Sequence, residues 1–595
     1  MLHTPDLAPL WRLFPGLRAI LETWEGRTLG DVAQGFRQPG AVPSAAALDA
    51  MHDLVAPVHG EDVARALRRR LHLSPSVLAA NHHGIECFPE LVQAIHFFGL
   101  PDLLDGLDGL DGLGGPNALG GPDALGGPDA LGGPNGLGGL KGPDAPGGPC
   151  CLGGPDCSRV KPRGDARGEV PTTPAAASTS SPTPPPMPTP AAVGTVIPVL
   201  SCTTVSLQSQ VYPRGLLLAR RAPAPDGAHF MRLPLFPASM QDTVVCAAPP
   251  LTPQQVRASR GLWRKLPLRP WERRAADALI DAHVDIPEVY ALPRFGEQAS
   301  LINARLCRQR FPDAPHVTVV YIELERLAAR LLARDLTDGA SIVSRLLFDP
   351  AARRRILSRL AGTRGCWTAH AFDATTTPLP RTGSNGTAFF WTVDATGRRI
   401  PLRLDDTTRP ALTSGDRRFA LEPEALAGAL QEGLLIPGLF CSYVTLALQH
   451  GLRCHGGMFF TEYLPAMLDA VHDVLGECPA HCRATPLAAL PLSVLFDDRG
   501  TGDDRDDGAY GGHRDHCTDP RPAGTVEMFA AGGLDAGRLR HLARTPAGAV
   551  LPLSLRECYE ECVPCGERPA GWAERLVPHG TSWQGVTLRV SDDPA

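Results

Sequence analysis

Lysine is almost missing from this 595-residue chain: Lys141, Lys161 and Lys265 are the only three, so 54 of the 57 basic residues are arginine. A phosphate-gripping P-loop needs Gly-Lys-Ser/Thr, and Lys265 is followed by Leu266. A pyridoxal-phosphate site needs a buried lysine, whereas Lys265 sits in the polar run Trp263-Arg264-Lys265. Neither cofactor is expected. A surplus of positive charge is also lacking. The 57 basic residues face 63 acidic ones, for a net charge of −6, which argues against a nucleic-acid-binding stripe. No apolar run approaches the roughly 18 residues of a membrane span. Met1-Leu2-His3-Thr4-Pro5-Asp6 has no basic stretch leading into an apolar one, so no signal peptide is expected. Sixteen cysteines then read as reduced thiols in a cytoplasm. Arginine in place of lysine, with much Ala, Gly and Pro, fits a GC-rich bacterial genome.

Glycine and proline are the residues in excess. With 62 Gly and 60 Pro they make up about a fifth of the chain, against roughly 12% in ordinary globular proteins. The excess is concentrated between residues 101 and 192, where Asp-Gly-Leu steps give way to repeats of Leu-Gly-Gly-Pro-Asp/Asn-Ala and then to a Thr/Pro/Ser run. Such a composition cannot bury a core, and the segment reads as a disordered insertion. It divides the sequence into an N-terminal part of a core (1–100), the insertion (101–192), the remainder of that core with a helical region (193–475), and a Cys-containing C-terminal region with an acidic, Gly-rich loop (476–595).

The residues flanking the insertion give the fold class. Ser76–Ala80 is an apolar run suited to a buried strand, Pro89–Phe98 has helical spacing with Pro in its first turn, and Val196–Leu200 is a second strand. The alternation continues. Val289–Leu292 reads as a strand and Glu297–Arg310 as a helix, then His316–Ile322 as a strand and Glu323–Asp335 as a helix. Residues 388–404 read as a β-hairpin turning at Asp394–Gly397. Residues 422–432, 438–450 and 461–475 have helical patterns. Alternating strands and helices predict an α/β protein with a Rossmann-like, mostly parallel sheet and added helices.

In such sheets ligands bind beyond the carboxyl ends of the strands. The loop there is Asn81-His82-His83-Gly84-Ile85-Glu86. His82 and His83 are candidate bases or metal ligands, Glu86 an orienting carboxylate or acid, and Asn81 and Gly84 candidate substrate contacts. Ser201-Cys202-Thr203-Thr204 ends the next strand and brings Thr203 towards the same crevice. Tyr212 and Arg214 follow, with Arg214 suited to a carboxylate or phosphate. Arg294 and Gln298 flank a helix N-terminus that would favour an anion. Gly456, Gly457 and Glu462 form a further compact polar group. Cys558, Cys562 and Cys565 have a C-x3-C-x2-C spacing that suits a structural zinc site, with Cys478, Cys482 or His481 as partners.

Two family resemblances follow from these motifs. Asn81-His82 and Tyr212-Pro213-Arg214-Gly215 resemble the Asn-His-x4-Asp and Phe-Pro-Glu-Gly motifs of glycerolipid acyltransferases. Here Cys87 stands where that family has Asp, and Arg214 where it has Glu. In layout the chain resembles the bacillithiol-pathway cysteine-adding enzymes. The order Asn81-His82-His83-Gly84, Ile197-Pro198-Val199, then Gly456-Gly457…Glu462-Tyr463 parallels that family's polar loop, Pro-Val strand and Gly-Gly…Glu…Tyr segment. The resemblance implies a Rossmann-like core over residues 70–475, but the family's glutamine pair is absent, so the reaction does not carry over. The sequence thus leads to a cytosolic enzyme acting on a small anionic metabolite by group transfer or ligation. The alternatives are a binding or scaffold protein with a zinc site, and an acyltransferase.

Overall fold

The computed structural model describes residues 5–80, 82–111, 194–209, 211–219, 230–364, 366–367, 388–406, 408–476, 492–497, 521–577 and 583–590. Its centre is a parallel sheet of four strands: β1 (Ser76–Ala80), β2 (Thr195–Ser201), β3 (Val317–Glu323) and β4 (Arg453–His455). The spatial order is β4-β1-β2-β3, with Leu78 opposite both His455 and Val199, and Val199 opposite Tyr321.

Both faces of the sheet are covered, which is why its strands read as nearly unbroken apolar runs. Alternate side chains enter separate cores. Leu78, Ala80, Ile197, Val199, Val317, Val319 and Tyr321 join one core, together with α3 (Pro89–Phe98), α4 (Leu100–Asp111) and α5 (Phe295–Arg310). Val77, Ala79, Val196, Leu200, Val320 and Ile322 join the other, with α1 (Ala45–His59), α2 (Glu61–Leu73) and α6 (Leu324–Asp335). The start of α1 is fixed by Ser44, whose hydroxyl accepts from Ala47 N at 3.1 Å. The hairpin expected at residues 388–404 is present as Phe390–Val393 paired antiparallel with Arg399–Pro401. Within residues 438–450, a short α-helix (Leu439–Tyr443) passes into a π-helical turn (Val444–Gln449).

Three expectations need correcting. Val289–Leu292 is no strand: Pro287–Tyr290 forms a single helical turn, with Pro287 opening it and Val289 buried. A four-residue apolar run does not distinguish the two periods. The insertion also begins later than residue 101. Helix α4 runs on to Asp111 because Leu100, Leu103 and Leu107 recur at helical spacing and enter the first core. Wholly buried Asp102 accepts from Arg70 Nε at 3.2 Å and lies 3.3 Å from Arg37 Nη2. Lastly, the described residues of the region set apart at 476–595 do not pack on their own. Val494, Phe496, Val526, Met528, Leu539, Val550 and Tyr559 belong to the first core, and the described residues within 1–114 and 190–595 form one compact unit. Gln93 on α3 ties the two ends of the chain together. Its Nε2 donates to Val494 O at 2.9 Å and Ala523 O at 3.1 Å, and its Oε1 accepts from Ser493 N at 2.8 Å and Val494 N at 3.0 Å. The acidic loop read at 497–520 lies outside the described residues apart from Asp497.

Candidate functional site

The strand order fixes where a crevice should lie. From β1 the chain steps to β2 and then β3 in one direction, and it returns to place β4 on the other side of β1. In open parallel sheets such a reversal leaves a crevice at the carboxyl ends of the two strands that flank it, here β1 and β4. The loop from His82 to Phe88 leaves β1 at that point. Asn81 lies outside the described residues.

The two histidines of this loop have different surroundings. His83 is wholly buried, with Nδ1 2.5 Å from Ser201 Oγ and Nε2 2.8 Å from Gly296 O. A carbonyl only accepts, so Nε2 carries the proton and the Ser201 hydroxyl donates to Nδ1. Burial lowers the pKa of His83 against the opposing pull of Glu323. The ring is a neutral strut between the β1 loop, β2 and α5, and it does not face an open cleft as the sequence suggested. His82 is half-buried. Its Nδ1 is buried without a hydrogen-bond partner among the described residues, and burial pushes its pKa down to about 4.

Glu86 ends the loop. Its Oε1 accepts from Phe88 N at 3.2 Å and its Oε2 from Tyr321 Oη at 3.3 Å. Burial pushes the carboxyl up to about 8, against the lowering effect of Arg310. Asn303 on α5 holds the loop's backbone, with Oδ1 accepting from Glu86 N and Nδ2 donating to Gly84 O, both at 2.8 Å. At Gly84 a Cβ would lie 2.8 Å from Pro213 Cα, so this glycine admits the neighbouring loop of the protein itself.

Where the sequence suggested that ligands would bind, the protein places its own carboxylates. Glu325, in the first turn of α6, occupies the nest after β2. Its Oε2 accepts from Thr203 N at 2.7 Å and Thr203 Oγ1 at 2.8 Å. Its Oε1 accepts from Cys202 Sγ and Thr204 Oγ1, both at 2.8 Å, and from Thr204 N at 3.2 Å. Glu323 lies over the first turn of α5, bonded to Arg294 Nη2 at 3.0 Å and Arg326 Nη1 at 3.3 Å. The anion expected at that helix N-terminus is therefore this side chain.

The other candidates serve the fold in the same way. Gln298 is clamped to Leu251 N at 2.6 Å and Leu251 O at 3.1 Å. Arg214 donates to Phe236 O at 2.8 Å and Gln208 Oε1 at 3.2 Å. Tyr212 is buried at a φ of +54°, with Arg232 over its ring at 5.3 Å. A Cβ at Gly456 would lie 2.5 Å from the Phe460 ring, while Gly457 has open space around it. Glu462 Oε1 accepts from Gly16 N at 3.0 Å. Cys558 is buried on α7 (Ala547–Cys562), Cys562 is half-buried one turn on, and Cys565 is exposed past the helix end. The three do not converge, and no group of three or more His, Cys, Asp or Glu that could hold a metal ion exists among the described residues. Cys478, His481 and Cys482 lie outside those residues.

The structure brings His82, Glu86, Thr203 and Arg294 to the carboxyl edge of one sheet. Arg214, Arg294 and Glu462 each engage a partner within the protein. Glu323, Glu325, Asn303 and Arg310 were missed by the sequence reading. For the first two a signal existed, in the two acids spaced by one residue at the end of a β-branched strand. Comparison of the chain with protein-family models, curated proteins and solved structures gave no match to any of them.

Proposed function

We infer that the chain is a cytosolic enzyme acting on a small anionic metabolite by group transfer or ligation, at the carboxyl edge of its parallel sheet. The observation that carries this reading is the pair His82 and Glu86 on the loop at the strand-order reversal. Burial leaves His82 unprotonated near pH 7, with its buried Nδ1 unpartnered, while the Glu86 carboxyl keeps its proton. Two groups driven to opposite sides of their ordinary ranges are what a base and an acid working at one pH require. His82 is the base in this reading and Glu86 the acid.

The test incubates full-length protein with a panel of small carboxylic and phosphorylated metabolites, with nucleoside triphosphates or acyl-CoA as co-substrates, and follows depletion by mass spectrometry. Wild-type protein should consume one of them. His82→Ala should slow that turnover by about 100-fold or more, within the usual range for loss of a general base, with an unchanged melting temperature. Consumption of nothing, or equal turnover by His82→Ala, overturns the reading.

A further inference from the structure

Arg310 is the last residue of α5, and its side chain is 1% exposed. None of its three guanidinium nitrogens has a hydrogen-bond partner among the described residues. A guanidinium keeps its charge inside a folded protein, and a buried charge without a partner is strongly unfavourable. The chain treats two other deep arginines differently. Arg70 donates to Asp102 at 3.2 Å and to Ser74 O at 3.1 Å, and Arg353 donates to Leu347 O at 2.6 Å and pairs with Asp406. Each has a carboxylate and a backbone carbonyl.

The charge of Arg310 acts through space on Glu86 from the β1 loop, His96 from α3, Tyr321 from β3, and the thiols of Cys87 and Cys307. The oxygens of Glu86 are engaged by Phe88 and Tyr321, so this carboxyl acts on Arg310 through space. His96 is buried with its ring edge-on to Phe311 at 4.7 Å, and neither of its ring nitrogens has a partner among the described residues. A fork of five N–H donors and an imidazole with one donor and one acceptor thus both lie buried, the charge of one felt by the other, with nothing among the described residues bonded to them.

We propose that Arg310, His96 and Glu86 form an enclosed binding site for a small planar oxyanion of single charge, a short carboxylate or bicarbonate. Planarity follows from the guanidinium fork, which matches two oxygens in one plane. Small size follows from closure, since no residue of the group is more than 6% exposed. Single charge follows from balance. Burial and the charge of Arg310 hold His96 neutral, and Glu86 is protonated near pH 7, so Arg310 supplies the one positive charge. A phosphate dianion would leave an unpaired buried charge. The site shares Glu86 with the acid–base pair inferred above and rests on that reading only there, because the anion readouts below need no turnover.

The experiment uses full-length protein dialysed into chloride buffer and melted in formate, acetate, bicarbonate, phosphate or chloride at matched ionic strength. Formate, acetate or bicarbonate should raise the melting temperature saturably, and phosphate should not. Alternatively, a resident anion survives dialysis, and denatured wild-type protein then releases about one equivalent of carboxylate or carbonate on ion chromatography. Arg310→Met should abolish the shift and the released anion, and melt no lower than wild type in chloride. Should that variant fail to fold, His96→Phe, which keeps the contact with Phe311, should raise the half-saturating anion concentration at least ten-fold. Neither a saturable shift nor a released anion from wild type, or an unaltered response in the folded variants, overturns the site.

Discussion

The carboxylate of Glu323 lies directly over the Cα of Gly296, where a Cβ would sit 2.8 Å from Glu323 Cδ. A side chain from the end of β3 thereby closes the first turn of α5 and holds Arg294 and Arg326. Gly296→Ala should push this carboxylate aside and cost about 1–3 kcal/mol, as overpacking does in tight cores. Urea denaturation measures the loss, and an unchanged midpoint would show that the carboxylate does not depend on this glycine.

Glu325 makes five hydrogen bonds to the Cys202–Thr204 segment. Replacement by Leu strands all five donors in the interior, and the expected cost is about 3–5 kcal/mol, the range for removing one partner of a buried charged group. Gln at this position keeps one acceptor oxygen and should recover part of the loss. If the Leu and Gln variants unfold at the same denaturant concentration as wild type, the nest does not stabilise the fold.

The two adjacent histidines should separate stability from activity. His83→Ala removes a strut bonded to Ser201 and Gly296 and should cost about 2–4 kcal/mol, combining a cavity with stranded polar groups. His82→Ala should leave the denaturation midpoint near wild type and affect turnover alone. Paired thermal melts and depletion assays on the two variants check the division, and the reverse pattern would exchange their roles.

Acid should destabilise the protein through its buried imidazoles at a pH where ordinary exposed carboxylates are still ionised. Burial pushes His59 and His82 down to about 4 and His455 down to about 3, from an ordinary imidazole value of 6.5. Between those values the unfolded chain binds more protons than the folded one. Stability is therefore fully present above about pH 6.5 and falls as pH drops towards 4. Glu86 has the opposite sign. Its folded value is raised to about 8 from 4.5, so its contribution is fully present below pH 4.5 and lost as pH rises through 8. Denaturant midpoints from pH 4 to 9 should show both limbs, and Glu86→Gln should flatten the alkaline one. A flat profile between pH 6.5 and 4 would mean that the three imidazoles are not held neutral.

At Gly106 on α4 a Cβ would fall 1.6 Å from His316 Nε2. Gly106→Ala should force the half-buried His316 ring aside, a cost set against the roughly 1 kcal/mol that Ala gains over Gly inside a helix. His316→Ala should relieve it, so the double variant should be more stable than Gly106→Ala alone. Additive losses in the double-mutant cycle would rule the contact out.

The sequence was most legible where its periodicity was strong and local. Ser76–Ala80 and Pro89–Phe98 form the elements read from them residue for residue, and β2, β3, α5 and α6 differ from the expected bounds by one or two residues. It was least legible where composition concealed spacing, as in α4, whose Asp-Gly-Leu steps look like the repeats that follow them. The site was legible in position, because a polar loop between a buried strand and a helix falls at the edge of the sheet. The roles within it were not. Choosing between a ligand and Glu323 as occupant of the α5 N-terminus requires the register of β3, and the isolation of Arg310 requires three elements far apart in sequence. Read alone, Arg310 is an ordinary cation in the last turn of a helix.

Gln93 has a consequence for how the chain is made. Its four bonding partners lie 400 to 430 residues further on. At about 5–20 residues per second, the ribosome needs roughly 20–80 s to deliver them after α3 has emerged. For that interval the inner side of α3 faces water or a chaperone, so truncation near residue 490 should yield a nascent product prone to aggregate rather than a smaller native protein.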